Sequence, residues 1–389
     1  YMLWVEWQKD YGPAPASRSA ERAVSTESDL LPPSALPQAS SQSTDQAPGD
    51  LPSQRDEQPA TVAENQPEMT GDYPVVNVTT DVLEIGIDLI GGTVVSSYLL
   101  DYPIEQDKPA DKVQLLNRAG ERLFVAQSGL LSRQAAPNHT SEYRSDRMNY
   151  EMSDGADELR VPLTWTDGSG VQVTKTLIFQ RGQYEIDVRH TLSNNSGATW
   201  TGSRYEQLQK AQELDGDDGG FSNPGRYSFN GIGFFSPEEK FEKIDFEDVA
   251  DDPYQRTVTN GWLAMIQHYF FTAWIPPEGE ENVYSTQEYS PSGWPRYIAR
   301  SVAPLISVSA GSSHEFNSRL YVGPKLQDQL PEIANGLQHT VNYGILTVFS
   351  KPLFWLLSTI HKTVQNWGWA IIFLTVLIKL AFFKLTEAQ

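Results

Sequence analysis

Cysteine is absent from the 389 residues. That excludes a disulfide framework and any thiolate metal site, and it leaves the compartment open, because exported proteins often lack disulfides. Base is scarce: 29 Lys and Arg stand against 50 Asp and Glu, a net charge of −21. Neutralising phosphates needs clustered Lys and Arg, so the balance argues against a nucleic-acid partner. No Gly-rich loop follows a strand to cradle phosphate, and no nucleophile elbow occurs. The six histidines have no metal-ligand spacing to one another. DGDDGG at 215 to 220 begins like a calcium loop, but Gly219 occupies its fifth position and Arg226 its twelfth. The ligand pattern fails there and a turn is predicted. No catalytic residue, metal or cofactor is expected.

From Gly12 to Asp72 the chain also lacks every aromatic residue and isoleucine, while Pro, Ser, Gln, Ala and acids dominate. Such a stretch buries too little apolar surface to offset its ordering entropy, so 12–73 reads as a disordered tether. Ahead of it, YMLWVEWQKDY places Trp4 and Trp7 among Met2, Leu3 and Val5. Residues 1–11 are expected to be the aromatic-belted end of a first transmembrane helix; a short core segment and a signal-peptide remnant are the other readings. The mean hydropathy of −0.43 averages two hydrophobic ends with a polar middle.

At Tyr73 the hydrophobic pattern turns to period two. Leu83, Ile85, Ile87 and Leu89 alternate with Glu84, Gly86 and Asp88 and close on Gly91-Gly92, a strand with one buried face. Tyr184 to Leu192 repeats the pattern with His190 on the apolar phase, where a core histidine satisfied by one hydrogen bond is expected. Strand-like runs follow at 171 to 179, 262 to 275 and 316 to 322, punctuated by TDGSGV, NNSGAT and DGDDGG. Many short strands without intervening helices predict one mainly β, antiparallel sandwich over 74–340.

Beyond it, residues 341–366 read as an amphipathic helix. Ile345, Phe349, Leu353, Leu356, Leu357 and Ile360 share its apolar face, and Ser350, Lys351, Ser358, His361 and Lys362 the other. The pattern fits a helix lying in a membrane interface and equally one packed on the β domain. Trp367 and Trp369 then open an apolar stretch, 367–389, read as a transmembrane helix running into a cytoplasmic segment. Membrane lipids are the expected neighbours of both. Lys379 lies about 18 Å along that helix from Trp367, past the bilayer midplane. Its charge costs about 3 kcal/mol there unless it snorkels or faces water, and both readings stand on the sequence alone.

The blocks TDVL (80 to 83) with Gly91-Gly92, FVAQSGL (124 to 130), SPEEKFEKIDF (236 to 246), GWLAMIQHYFFTAWIP (261 to 276), LYVGPKLQDQL (320 to 330), YGILTVFSKPLFWLL (343 to 357) and NWGWAIIFLTVLIK (366 to 379) resemble, in order, the YidC membrane protein insertase family of Gram-negative bacteria. The resemblance covers most of the chain from Thr80. It implies a multi-pass inner-membrane protein: a first transmembrane helix, a tether, a large periplasmic β-supersandwich, an interfacial helix and a five-helix insertase core, of which this chain holds the first helix. It implies no enzyme activity, and as partners nascent inner-membrane proteins and the Sec translocon.

In that family a positive charge on the first core helix faces a water-filled groove that receives polar parts of a substrate. Lys379 stands where arginine is usual, keeping the charge without the planar fork, and Lys384 stands where proline is expected. The alternative reading, from the β-sandwich alone, is a membrane-tethered carbohydrate-binding or mutarotase-like protein. It calls for a His and carboxylate pair in a cleft, and no convincing pair is visible.

Overall fold

The computed structural model describes residues 74–387 except 106, 119, 212–228, 291–294 and 342–346. Side chains at 121, 347–349, 351 and 383–387 are also outside the described set. The readings placed on Trp4, Trp7, the tether, DGDDGG and Ile345 therefore lie outside the described residues.

Nineteen strands run among the described residues. The first eight are β1 (Val75–Thr79), β2 (Leu83–Asp88), β3 (Thr93–Glu105), β4 (Lys108–Leu116), β5 (Phe124–Ser132), β6 (Asn149–Glu151), β7 (Glu158–Thr166) and β8 (Val171–Gln180). Then come β9 (Glu185–Asn194), β10 (Trp200–Ala211), β11 (Gly231–Ser236), β12 (Lys240–Ile244), β13 (Gln255–Thr259) and β14 (Trp262–Ile266). The last are β15 (Phe270–Ile275), β16 (Glu281–Tyr289), β17 (Arg296–Val302), β18 (Ile306–Val308) and β19 (Ser312–Pro324). A short helix α1 (Leu330–Ile333) follows, then α2 (Thr347–Val364) and α3 (Trp367–Glu387).

An eleven-stranded sheet has the order β13-β16-β17-β10-β5-β3-β2-β1-β6, with β4 beside β3 and β18 beside β10; an eight-stranded sheet has the order β12-β11-β14-β15-β19-β9-β8-β7. All pairs are antiparallel except β1 with β6. The inner faces meet in one buried cluster that joins Leu83, Ile85 and Ile87 of β2 to Leu177 of β8, Ile186 and Val188 of β9 and Trp274 of β15; Gly86 and Asp88, on the other phase of β2, are buried as well, so the strand is covered on both faces beyond Glu84. Apolar area removed from water at roughly 25 cal/mol per Å² drives this packing. The run from 262 to 275, read as one strand, is two, because Gln267 to Tyr269 turn the chain between β14 and β15.

The Gly91-Gly92 turn has φ of 72° and 55°, a region L side chains rarely adopt. A Cβ on Gly91 would also stand 2.3 Å from the His139 carbonyl oxygen. Buried Asp88 stabilises the turn, accepting from Ile90 N at 2.9 Å and pairing with Arg118 at 2.9 Å.

Polar groups also cross the core. Tyr284, Ser301, Glu206 and Ser128 are register neighbours on β16, β17, β10 and β5, each at most 1% exposed. Arg204 pairs with Glu206 and, at 2.6 Å, with Glu280. From the other sheet, Lys175 of β8 donates to the carbonyl oxygens of Gly91 (3.0 Å) and Ser128 (3.3 Å). Burial, opposed in part by Glu206, brings its pKa down to about 7. His190, beside it on β9, departs from expectation: neither ring nitrogen has a hydrogen-bond partner. Burial first, then Lys175 and Arg204, hold its pKa well below the ordinary value, so the ring stays neutral in the core.

Candidate functional site

The helix pair α2–α3 carries the residues singled out in the sequence. Its connection is a tight turn: Gln365 takes φ 53° and its N–H donates to His361 O at 2.7 Å. Gln365 therefore closes α2 in the left-handed conformation. Asn366 then caps α3, its Oδ1 accepting from Trp369 N at 3.2 Å. The rings of His361 and Trp367 stack at 3.8 Å across the turn, and Ala370 is fully buried. The capping asparagine and the left-handed residue bring the two helices back on each other.

Between them runs a cleft of about 430 Å³ lined by Ile360, Thr363, Val364, Phe373, Val376, Leu377 and Leu380. Threonine hydroxyls along the pair donate to their own helix, Thr359 to Trp355 O (2.8 Å) and Thr375 to Ile371 O (2.8 Å). They make no demand on an outside partner, which suits apolar surroundings. Most apolar side chains here remain uncovered: Trp355 is 68% exposed, Leu380 70% and Phe382 57%, with Ile371, Ile372 and Phe373 near one half. Contiguous exposure on this scale marks a surface covered by protein or lipid.

The predicted residues divide. Leu356, Leu357 and Ile360 are half-buried and Leu353 is exposed; only Ile360 of these lines the cleft. The Phe349 side chain is outside the described residues. Trp367 and Trp369 are exposed at the head of α3, and Lys379 is exposed with no ion-pair partner among the described residues. At about 100° per residue, Lys379 lies roughly a third of a turn round α3 from the cleft, on the face of Ile372 and Thr375. The charge and the cleft are therefore separate features. Helix α3 is 21 residues, about 31 Å long. Among the described residues, however, no helix is long and apolar enough to cross a membrane. Reading for single elements missed the α2–α3 pairing, whose signal was the Gln365-Asn366 turn with Gly368 behind it.

These features define a large two-sheet β-sandwich followed by an apolar helical hairpin. Among solved structures, the chain is similar to a galactose mutarotase related enzyme from Lactobacillus acidophilus (TM-score 0.40, 8% identity, 65% of this chain and 100% of that one). It is also similar to a galactose mutarotase-like protein from Lactobacillus casei (TM-score 0.38, 9% identity, 64% of this chain and 99% of that one). Such likeness transfers neither ligand nor activity. Residues 75–356 match the family model of the YidC periplasmic domain. Over its whole length the chain is 40% identical to the membrane protein insertase YidC of Methylococcus capsulatus, covering 66% of that protein. It is 38% identical to that of Thioalkalivibrio sulfidiphilus, covering 68%. The chain belongs to the YidC family and spans about two thirds of the length of these curated relatives.

Proposed function

We propose that the chain is the β domain and leading helices of a membrane protein insertase, acting on nascent inner-membrane proteins alone or beside the Sec translocon. In this reading the β domain lies in the periplasm, α2 lies in the membrane interface and the 367–389 segment enters the bilayer, with Trp367 and Trp369 at its entry. The observation that carries the reading is one unpaired charge, Lys379, set in a helix whose other described side chains are mostly apolar and uncovered.

A lone ammonium at that depth is costly in hydrocarbon and is retained where it meets water or a polar partner. It lowers the cost of bringing polar segments of a client into the membrane, and no covalent step is needed. The work is solvation: Lys379 offers charge to the client's polar groups while the apolar faces of α2 and α3 keep the assembly in lipid. The β domain serves as the partner-facing module outside the membrane.

The test is a depletion rescue. The corresponding region of a complete insertase is replaced by residues 1–389, and insertion of a short single-span substrate is followed in cells depleted of their own insertase. Rescue supports the reading; a stably produced, membrane-bound chimaera that inserts nothing overturns it.

A further inference from the structure

The insertase reading leaves one corner of the β domain unused. The β14–β15 turn carries Tyr269, 65% exposed, and Ile104 near the end of β3 is exposed to the same extent. Phe270 packs edge-on against Tyr102 of β3 at 5.6 Å. A cleft of about 860 Å³ is lined by both Gln267 of the turn and Ile104. Two large side chains thus project from the same end of the sandwich.

Cations gather beside them. Lys325, directly after β19, donates its backbone N–H to Tyr269 O (3.0 Å) and its ammonium to His268 O (3.2 Å). Lys243 of β12 stands over the Phe229 ring at 5.3 Å. Burial first, then the charge of Lys243, pushes the Lys325 pKa down to about 8. Burial and Lys325 lower that of His268, whose Nδ1 has no partner. Asp245 is the carboxylate that acts on Lys243. Neither lysine forms an ion pair among the described residues. Like charges held near each other destabilise a fold, and an anion placed between them offsets that beyond what Asp245 supplies to Lys243. Lys325 also begins the segment that leads through α1 to the apolar helices.

We infer that this corner docks on a bilayer surface containing anionic phospholipid, Tyr269 and Ile104 entering the headgroup layer while Lys243 and Lys325 pair with lipid phosphates. Exposed amphipathic and aliphatic tips beside basic side chains are the recognised chemistry of such contacts. The adjoining cleft carries Lys112 and Arg122 beside Glu84 and Asp111, so its own charges balance. The inference rests on the insertase reading, which brings a bilayer next to the chain.

Because the chain has no cysteine, single labels are unique. The full chain is reconstituted into phosphatidylglycerol vesicles with an environment-sensitive fluorophore at Tyr269→Cys, at Ser169→Cys in the β7–β8 turn at the opposite end of the sheet, or at Phe373→Cys in α3. Quenching is expected at 269 by headgroup-level spin-labelled lipid, at 373 by acyl-chain spin-labelled lipid, and at 169 by neither. At 269 it is lost in phosphatidylcholine vesicles, in high salt, and in a Lys243→Gln, Lys325→Gln background. Salt reads the charge contribution even if the double variant folds poorly. Quenching at 373 with none at 269 overturns the docking alone. No quenching at 373 overturns the membrane reading and the docking with it. The same fluorescence change at 269 on adding inorganic phosphate without vesicles overturns the lipid assignment in favour of a free anion.

Discussion

Lys175→Met is a direct test of the buried polar layer. Lys175 is 2% exposed and its pKa falls from 10.5 to about 7. Between those values the unfolded chain binds a proton that the folded chain does not, so stability rises with pH across that window. Below about pH 7 both states hold the proton and the full penalty is present. The fall corresponds to a penalty of roughly 4 to 5 kcal/mol near pH 7, reduced to about 2 kcal/mol at pH 9. The native chain should therefore gain about 2 kcal/mol at this site between pH 7 and 9. Methionine fills the stem's volume and forfeits two hydrogen bonds worth together about 2 kcal/mol. The variant should be at least as stable at pH 7, and its pH 7 to 9 rise should be smaller by about 2 kcal/mol. The assay is urea unfolding of the full chain in detergent, read by buried Trp200, Trp262 and Trp274. Lys325 also titrates in this window, and its contribution cancels in the comparison. An unchanged slope in the variant would refute the reasoning.

Three further outcomes follow, the first two read by the same unfolding assay and the third by amide exchange. The depressed pKa of His190 means that the unfolded chain gains a proton below about pH 6.5 that the folded chain refuses, so stability falls with acidification; His190→Leu should flatten the acid limb of the stability profile without loss at pH 7. Gly91→Ala meets both a positive φ and a carbonyl at 2.3 Å, and should lower stability by about 2 kcal/mol or more. Asn366→Ala removes the α3 cap and should cost about 1 kcal/mol, seen as faster amide exchange over the first turn of α3 with the β domain unaffected.

Much of this architecture is legible in the sequence because strand alternation leaves a period-two trace. Leu83, Ile85 and Ile87 announce their buried face, and the turn they run into needs glycine at positive φ. The buried polar layer was not read: Lys175 shares the phase of Val171, Val173 and Leu177, but the phase of Glu206 also carries Arg204 and Lys210, and both phases of β10 are buried. What the alternation does not contain is the partner across the sandwich. That Lys175 meets the Gly91 carbonyl depends on how two sheets stack, as the empty hydrogen-bonding valences of His190 do. The split of 262 to 275 into two strands was hidden because His268 and Tyr269 carry no Gly, Pro or Asn turn signal.

The helix pair shows the same limit. Its apolar content and the position of Lys379 follow from residue order, whereas its return on itself at Gln365 is a matter of backbone conformation at one non-glycine residue. Separation of charge from cleft also has a physical consequence: a segment held against Leu377 and Leu380 need not touch the ammonium. On the proposed reading, apolar and polar parts of a client are then met on different faces of α3.

Lys379 is therefore the place to measure. In the rescued insertase the initial rate of insertion of the short substrate is compared for Lys379, Lys379→Arg and Lys379→Ala at equal protein levels. Arginine keeps the charge and should support the native rate. Alanine should lower it by about tenfold or more, the effect of losing roughly 1.4 kcal/mol of stabilisation for the inserting segment. An alanine form that inserts at the native rate would contradict the account, leaving Lys379 as an anchor at the membrane surface.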